Sequence, residues 1–112
     1  MFGAARRVEP SHRAHQINEA VRDAYMAMRN RSIDKEAAFT LIIPLIQGPI
    51  MRLFRAHGVK NESDREDLFS EFMVRLLKSE TNARYDPAYP FLYWAYKIAR
   101  RQCYSFLSAR RF

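Results

Sequence analysis

Ser63-Asp-Arg-Glu-Asp-Leu-Phe-Ser-Glu-Phe-Met-Val-Arg-Leu-Leu77 decides how the chain is read. Its apolar residues Leu68, Phe69, Phe72, Met73, Leu76 and Leu77 recur at spacings of three and four, which places them on one broad face of an α-helix. Ser63 and Glu66 have the spacing of a capping box, in which each side chain serves the other's backbone N–H. The stretch therefore predicts an amphipathic helix from Asp64 to about Lys78. The other face is acidic: Asp67 and Glu71 stand one turn apart, with Arg75 four residues further on. Like charges at that spacing cost an isolated helix about 0.2–0.5 kcal/mol, partly offset by Arg75. Such a patch suits a basic protein partner, but it is also what a solvated helix start looks like.

The same periodicity extends outward. Upstream, Ser11 can cap a helix carrying Ala14, Ile17, Val21, Ala24, Tyr25 and Met28, after a flexible arm over residues 1–10. Asn30 to Ile33 breaks it, and Asp34 can cap a second helix with Ala37, Ala38, Leu41, Ile42, Leu45 and Ile46. Pro44 and Pro49 each remove a backbone donor, which predicts a kink or break around Ile43–Pro49. The helix resumes through Ile50, Leu53 and Phe54 and stops at Gly58. Downstream, Ser79 to Tyr89 reads as a polar loop, and Pro90 suits the first turn of a last helix reaching about Ala109. The fold class is all-α: a compact bundle of about four helices, one domain over residues 11–112.

Composition narrows the function. Net charge is +7 and the pI is near 10.0. That balance points to a polyanion, nucleic acid before an anionic membrane surface, unless it serves only solubility. A lone Cys103 cannot form an internal disulfide, which suits a reducing cytosol. His12, His15 and His57 form no tight cluster with Cys or Asp, so no metal is expected. No twenty-residue apolar run predicts a membrane span, and Met1 to Pro10 does not resemble a signal peptide. Without a Gly-rich phosphate loop or a nucleophile with a histidine partner, no enzyme and no cofactor is expected.

The last helix has two sides at about 100° per residue. Phe91, Trp94, Ala95, Ile98, Gln102 and Phe106 fall on one, as a core stripe. Opposite lie Tyr93, Lys97, Arg100, Tyr104 and Arg111, flanked by Arg101. From Arg84 to Phe112 six cations stand against Asp86 alone, so most of the excess charge is here, at +5. Cations match phosphates and flat rings stack on bases. A solvated helix whose long side chains cover core edges would give the same pattern.

At these two helices the sequence resembles region 2 of the bacterial sigma factors. Residues 63–77 are similar to that family's D-A-E-D-L-V-Q-E-V-F-L-R-L segment. Tyr85-Asp86-Pro87, Pro90-Phe91, Trp94 and Lys97-Ile98-Ala99-Arg100 resemble its F-D-P, F, W and R-I-A-R, in the same order. The likeness covers about residues 36–110, and the short loop is like that of the extracytoplasmic-function class. It implies a non-enzymatic, cytoplasmic transcription factor domain. Asp67, Leu68, Glu71, Phe72 and Arg75 would dock on the clamp helices of the largest subunit of RNA polymerase core. Arg84, Tyr85 and Tyr89 would belong to the loop that reads the minus-ten promoter element. Tyr93, Trp94, Lys97, Arg100, Arg101 and Tyr104 would line the path of the melted non-template strand. An anti-sigma factor is a further partner the family admits. Three positions depart from the family: Ser70 for Gln, Arg101 for Asn and Ser105 for Asp. The first bears on clamp affinity, the others on promoter preference. Sigma factors normally add a helix-turn-helix domain, which nothing after Arg111 supplies. The sequence therefore reads either as an excised domain or as a stand-alone protein, one that borrows upstream contacts from another protein or a regulator that occupies the clamp without reading a promoter.

Overall fold

The computed structural model describes the backbone of residues 2–78 and 84–110, and the side chains of residues 15–78 and 84–110. Among the described residues four helices are laid out: α1 (Phe2–Arg29), α2 (Lys35–Ala56), α3 (Glu62–Leu76) and α4 (Phe91–Ala109). Among the described residues there is no strand. The backbone is helical from Phe2, so no boundary marks the start expected at Ser11. Ala4, Ala5, Arg6 and Arg7, all good helix formers, lie in the stretch expected to be an arm.

Helix α2 is the centre of the bundle and packs against the other three. Asp34 caps it as expected, accepting from the Ala37 N–H at 2.8 Å. The break expected at Pro44 and Pro49 does not occur, and α2 runs through both. Two facts explain this. Pro44 is exposed and Pro49 only half-buried, so water can reach the carbonyls they leave unbonded. Ala38, Ile42, Ile46, Ile50 and Phe54 are fully buried at spacings of four, each large one contributing about 1.5–3 kcal/mol. The same composition makes α2 long and apolar enough, by length and hydropathy, to cross a membrane. Its buried stripe is instead spent on α1, α3 and α4.

Both α1 and α2 end in the same motif. After α2, Gly58 at φ 106° donates to Arg55 O and Val59 to Phe54 O, at 3.1 and 3.0 Å. After α1, Arg31 takes the glycine's role at φ 63°, with Ser32 donating to Ala27 O at 2.8 Å. The cap of α3 differs from the one expected. Asn61, two residues before Ser63, accepts from the N–H groups of Ser63 and Asp64 at 2.8 and 3.3 Å. An Asx side chain placed ahead of the Ser wins the cap, and the Ser63–Glu66 box is not used. Arg65 then ties the turn before the helix, donating to Val59 O and Lys60 O at 2.9 and 2.7 Å.

The six apolar residues expected on the inner face of 63–77 are all buried. In α4, Phe91, Ala95 and Gln102 are buried as expected, joined by Leu92, Ala99 and Cys103, while Trp94, Ile98 and Phe106 lie at the core's edge. Gln102 donates to Leu68 O at 2.9 Å, and its Oε1 finds no partner among the described residues. Arg110 closes the far end of the α3–α4 pair on Asp64 at 2.9 Å.

Candidate functional site

Two surfaces stand out. The first is the outer face of α3. Asp67, Ser70, Glu71, Val74, Arg75 and Lys78 are exposed there, and neither Asp67 nor Glu71 is paired within the described residues. Val74, 57% exposed, sets an apolar spot between the charges. Leu68 and Phe72, expected to contact a partner, belong to the other face. They are 4% and 0% exposed, because their spacing with Phe69, Met73 and Leu76 turns them into the core. They support this face from beneath and do not present themselves to a docked protein.

The second surface is concave. A cavity of about 350 Å³ opens at the start of α4, lined by Arg84, Tyr85, Asp86, Tyr89, Tyr93, Trp94 and Lys97. That volume is at the low end of the range of small-molecule pockets, about 300–1,000 Å³. Tyr89 and Tyr93 are 60% and 55% exposed, so each presents aromatic surface at the opening. Lys97 Nζ lies 4.7 Å from the centre of the Tyr93 ring, a cation held over an aromatic face.

The back of the cavity is an aromatic cluster. Tyr25, Tyr85, Phe91 and Trp94 all touch one another, with ring centres 5.0–5.6 Å apart. Tyr85 is only 2% exposed, so its phenol forms wall and not contact surface. The expectation that it meets nucleic acid directly is corrected on this point. Its hydroxyl donates to Tyr89 O at 3.1 Å, which fixes the loop across the opening. Burial pushes the Tyr25 and Tyr85 phenols above the ordinary tyrosine range. Both keep their protons, as donors, further into alkaline pH than an ordinary tyrosine does.

The loop is a turn held locally by Asp86. Its carboxylate accepts from the Ala88 N–H at 2.9 Å, and its carbonyl from the Tyr89 N–H at 3.1 Å. Pro90, expected inside the first turn of α4, is its N-cap and offers no side-chain oxygen. Asn18 of α1 fills that role: the Leu92 N–H donates to its Oδ1 at 2.7 Å. Neither Asn18 nor the Tyr25 contact was visible in the sequence, since each bridges more than fifty residues with no local signature.

Of the basic and aromatic residues expected to work together, the structure gathers Arg84, Tyr85, Tyr89, Tyr93, Trp94 and Lys97 in one cavity. Arg100, Arg101 and Tyr104 lie outside it, on the following turns of α4. Tyr104 is 59% exposed, with its ring centre 6.3 Å from that of His57. Arg111, expected on the same stripe, lies outside the described residues. Among the described residues no three His, Cys, Asp or Glu side chains converge to hold a metal.

The exposed charged face of α3 and the basic aromatic cavity at the start of α4 thus sit on one small helical domain. The model of the Sigma-70 region 2 family matches residues 42–112, well over half of the chain, and the chain belongs to that family. This is a non-enzymatic transcription initiation family whose general role is to bind RNA polymerase core and to take part in promoter melting. No curated protein and no solved structure matches the chain.

Proposed function

We propose that the two surfaces divide the family's work between them. The outer face of α3, through Asp67, Glu71 and Arg75, docks on the clamp helices of the largest subunit of RNA polymerase core. The cavity at the start of α4 takes a base of the non-template strand of the minus-ten element as the duplex melts. The strand then continues over Arg100, Arg101 and Tyr104. Unstacking a base costs a few kcal/mol, and a pocket with aromatic walls returns it. Arg84 and Lys97 supply cations beside the cavity for the flanking phosphates. This work belongs in a bacterial cytoplasm, where core enzyme and promoter DNA meet.

One observation carries the reading: the cavity of Arg84, Tyr89, Tyr93, Trp94 and Lys97 combines exposed rings and cations in a single concave site. The test is co-elution of the purified chain with core polymerase, followed by uptake of a single-stranded minus-ten-like oligonucleotide into the complex. Co-elution with uptake supports the reading. Co-elution without uptake would make the chain an occupant of the clamp that reads no promoter. No co-elution would remove the polymerase assignment for α3.

A further inference from the structure

Four polar side chains of α1 stand at positions 18, 22, 25 and 29, spaced by four, three and four residues, which keeps them on one helical face. Each of them bonds a backbone atom of the connection between α3 and α4 or of its ends. The Tyr25 hydroxyl donates to Leu76 O, at the end of α3, at 2.9 Å. Arg29 donates to Tyr85 O at 2.7 Å, and Arg22 to Pro87 O at 3.5 Å. The Leu92 N–H, in the first turn of α4, donates to Asn18 at 2.7 Å. One rigid rod is thus tied to the entry, the middle and the exit of the segment that shapes the cavity.

None of these α1 side chains lines the cavity itself. Their partners are main-chain groups, so the ties set the path of the loop and not its chemistry. A loop fixed in advance does not have to be ordered at the moment of binding, and that ordering is a real cost of association. Within the loop, the Asp86 turn and the bond from the Tyr85 hydroxyl to Tyr89 O are local, and the ties to α1 anchor that turn from outside it.

We infer that Asn18 and Arg29 are positioning residues: α1 is a splint that holds residues 85–92 in the shape that accepts a flipped base, without touching the nucleic acid. The inference rests on reading the cavity as a base pocket. It adds that the capture site depends on a helix lying before the span matched by the family, residues 42–112.

The test uses the full chain bound to core polymerase and a single-stranded oligonucleotide carrying 2-aminopurine, whose fluorescence reports base capture. Asn18→Ala and Arg29→Met should each weaken capture about tenfold, the equivalent of one lost charge-assisted or capping bond. Binding to core should stay within about twofold, as for independent sites. Asn18→Asp keeps the acceptor and Arg29→Lys keeps a donor, so both should recover most of the capture. If Asn18→Ala and Arg29→Met capture as well as the unaltered chain, the splint is wrong. It is equally wrong if capture and core binding fall together, or if neither conservative variant rescues. An unaltered chain that binds core and captures nothing overturns the base-pocket reading instead, and is a separate result.

Discussion

On the outer face of α3, Asp67, Glu71 and Arg75 hold their places by helical spacing alone, whereas the cavity at the start of α4 needs two parts of the chain distant in sequence, residues 84–97 and α1. Its walls come from the loop beginning at Arg84 and from α4, Tyr25 packs behind the wall residues Tyr85 and Trp94, and its backbone ties come from Asn18, Arg22 and Arg29. The first surface is a property of one helix and tolerates change around it. The second is a property of the packed domain. A perturbation of the core should therefore reach the cavity and leave the α3 face nearly intact.

The most severe way to break that contrast is Tyr25→Ala. It removes a ring that touches Tyr85, Phe91 and Trp94 and the hydroxyl bonded to Leu76. Loss of a buried aromatic costs about 3–5 kcal/mol, measurable by urea unfolding. A loss below about 1 kcal/mol would mean that the cluster does not support the cavity. Next comes the cavity surface. Tyr93→Ala should cost about 1–3 kcal/mol in binding of single-stranded DNA, the worth of one stacked base. Lys97→Ala should lower the slope of log K against log salt by about 0.7. Neither should move the thermal midpoint appreciably, since both side chains are exposed.

Alkaline pH probes the core without mutation. Burial pushes the Cys103 thiol up from 9.0 to about 11, and raises Tyr25 and Tyr85 as well. Above pH 9.0 the unfolded thiol loses its proton while the folded one keeps it, so the unfolded state binds fewer protons. Folding stability should be flat near neutrality and fall as pH rises from about 9 toward 11. Denaturant unfolding across that range checks the sign. Smaller effects are expected at the two helix ends. Arg31→Gly should stabilise by about 0.5–1 kcal/mol and Gly58→Ala should destabilise by about 1 kcal/mol, both because φ is positive. The smallest change is on α3: Asp67→Ala with Glu71→Ala should alter stability by no more than about 0.5 kcal/mol.

Much of the bundle was legible because it is local. Every helix was recognised from apolar spacing, and the inner face of 63–77 was read residue for residue. Asp34 and Gly58 acted as caps because caps depend on a few neighbouring residues. The misreadings arose where tertiary packing outweighs local chemistry. Pro44 and Pro49 did not break α2, since its buried isoleucines hold it on the core. Leu68, Phe72 and Tyr85 were assigned to contact surfaces because a motif marks a residue without saying which way it faces. The α1 contribution was not legible at all, because Asn18 and Arg29 meet their partners 74 and 56 residues away.

The central claim is that the two surfaces are separate in function. It is tested most directly by measuring core-polymerase binding and base capture on the same two variants. Asp67→Lys with Glu71→Lys should lose core binding, while Tyr93→Ala with Lys97→Ala should keep core binding and lose capture of the 2-aminopurine strand. If both variants lose the same property, or if neither loses either, the division of the molecule into a protein face and a base pocket is contradicted.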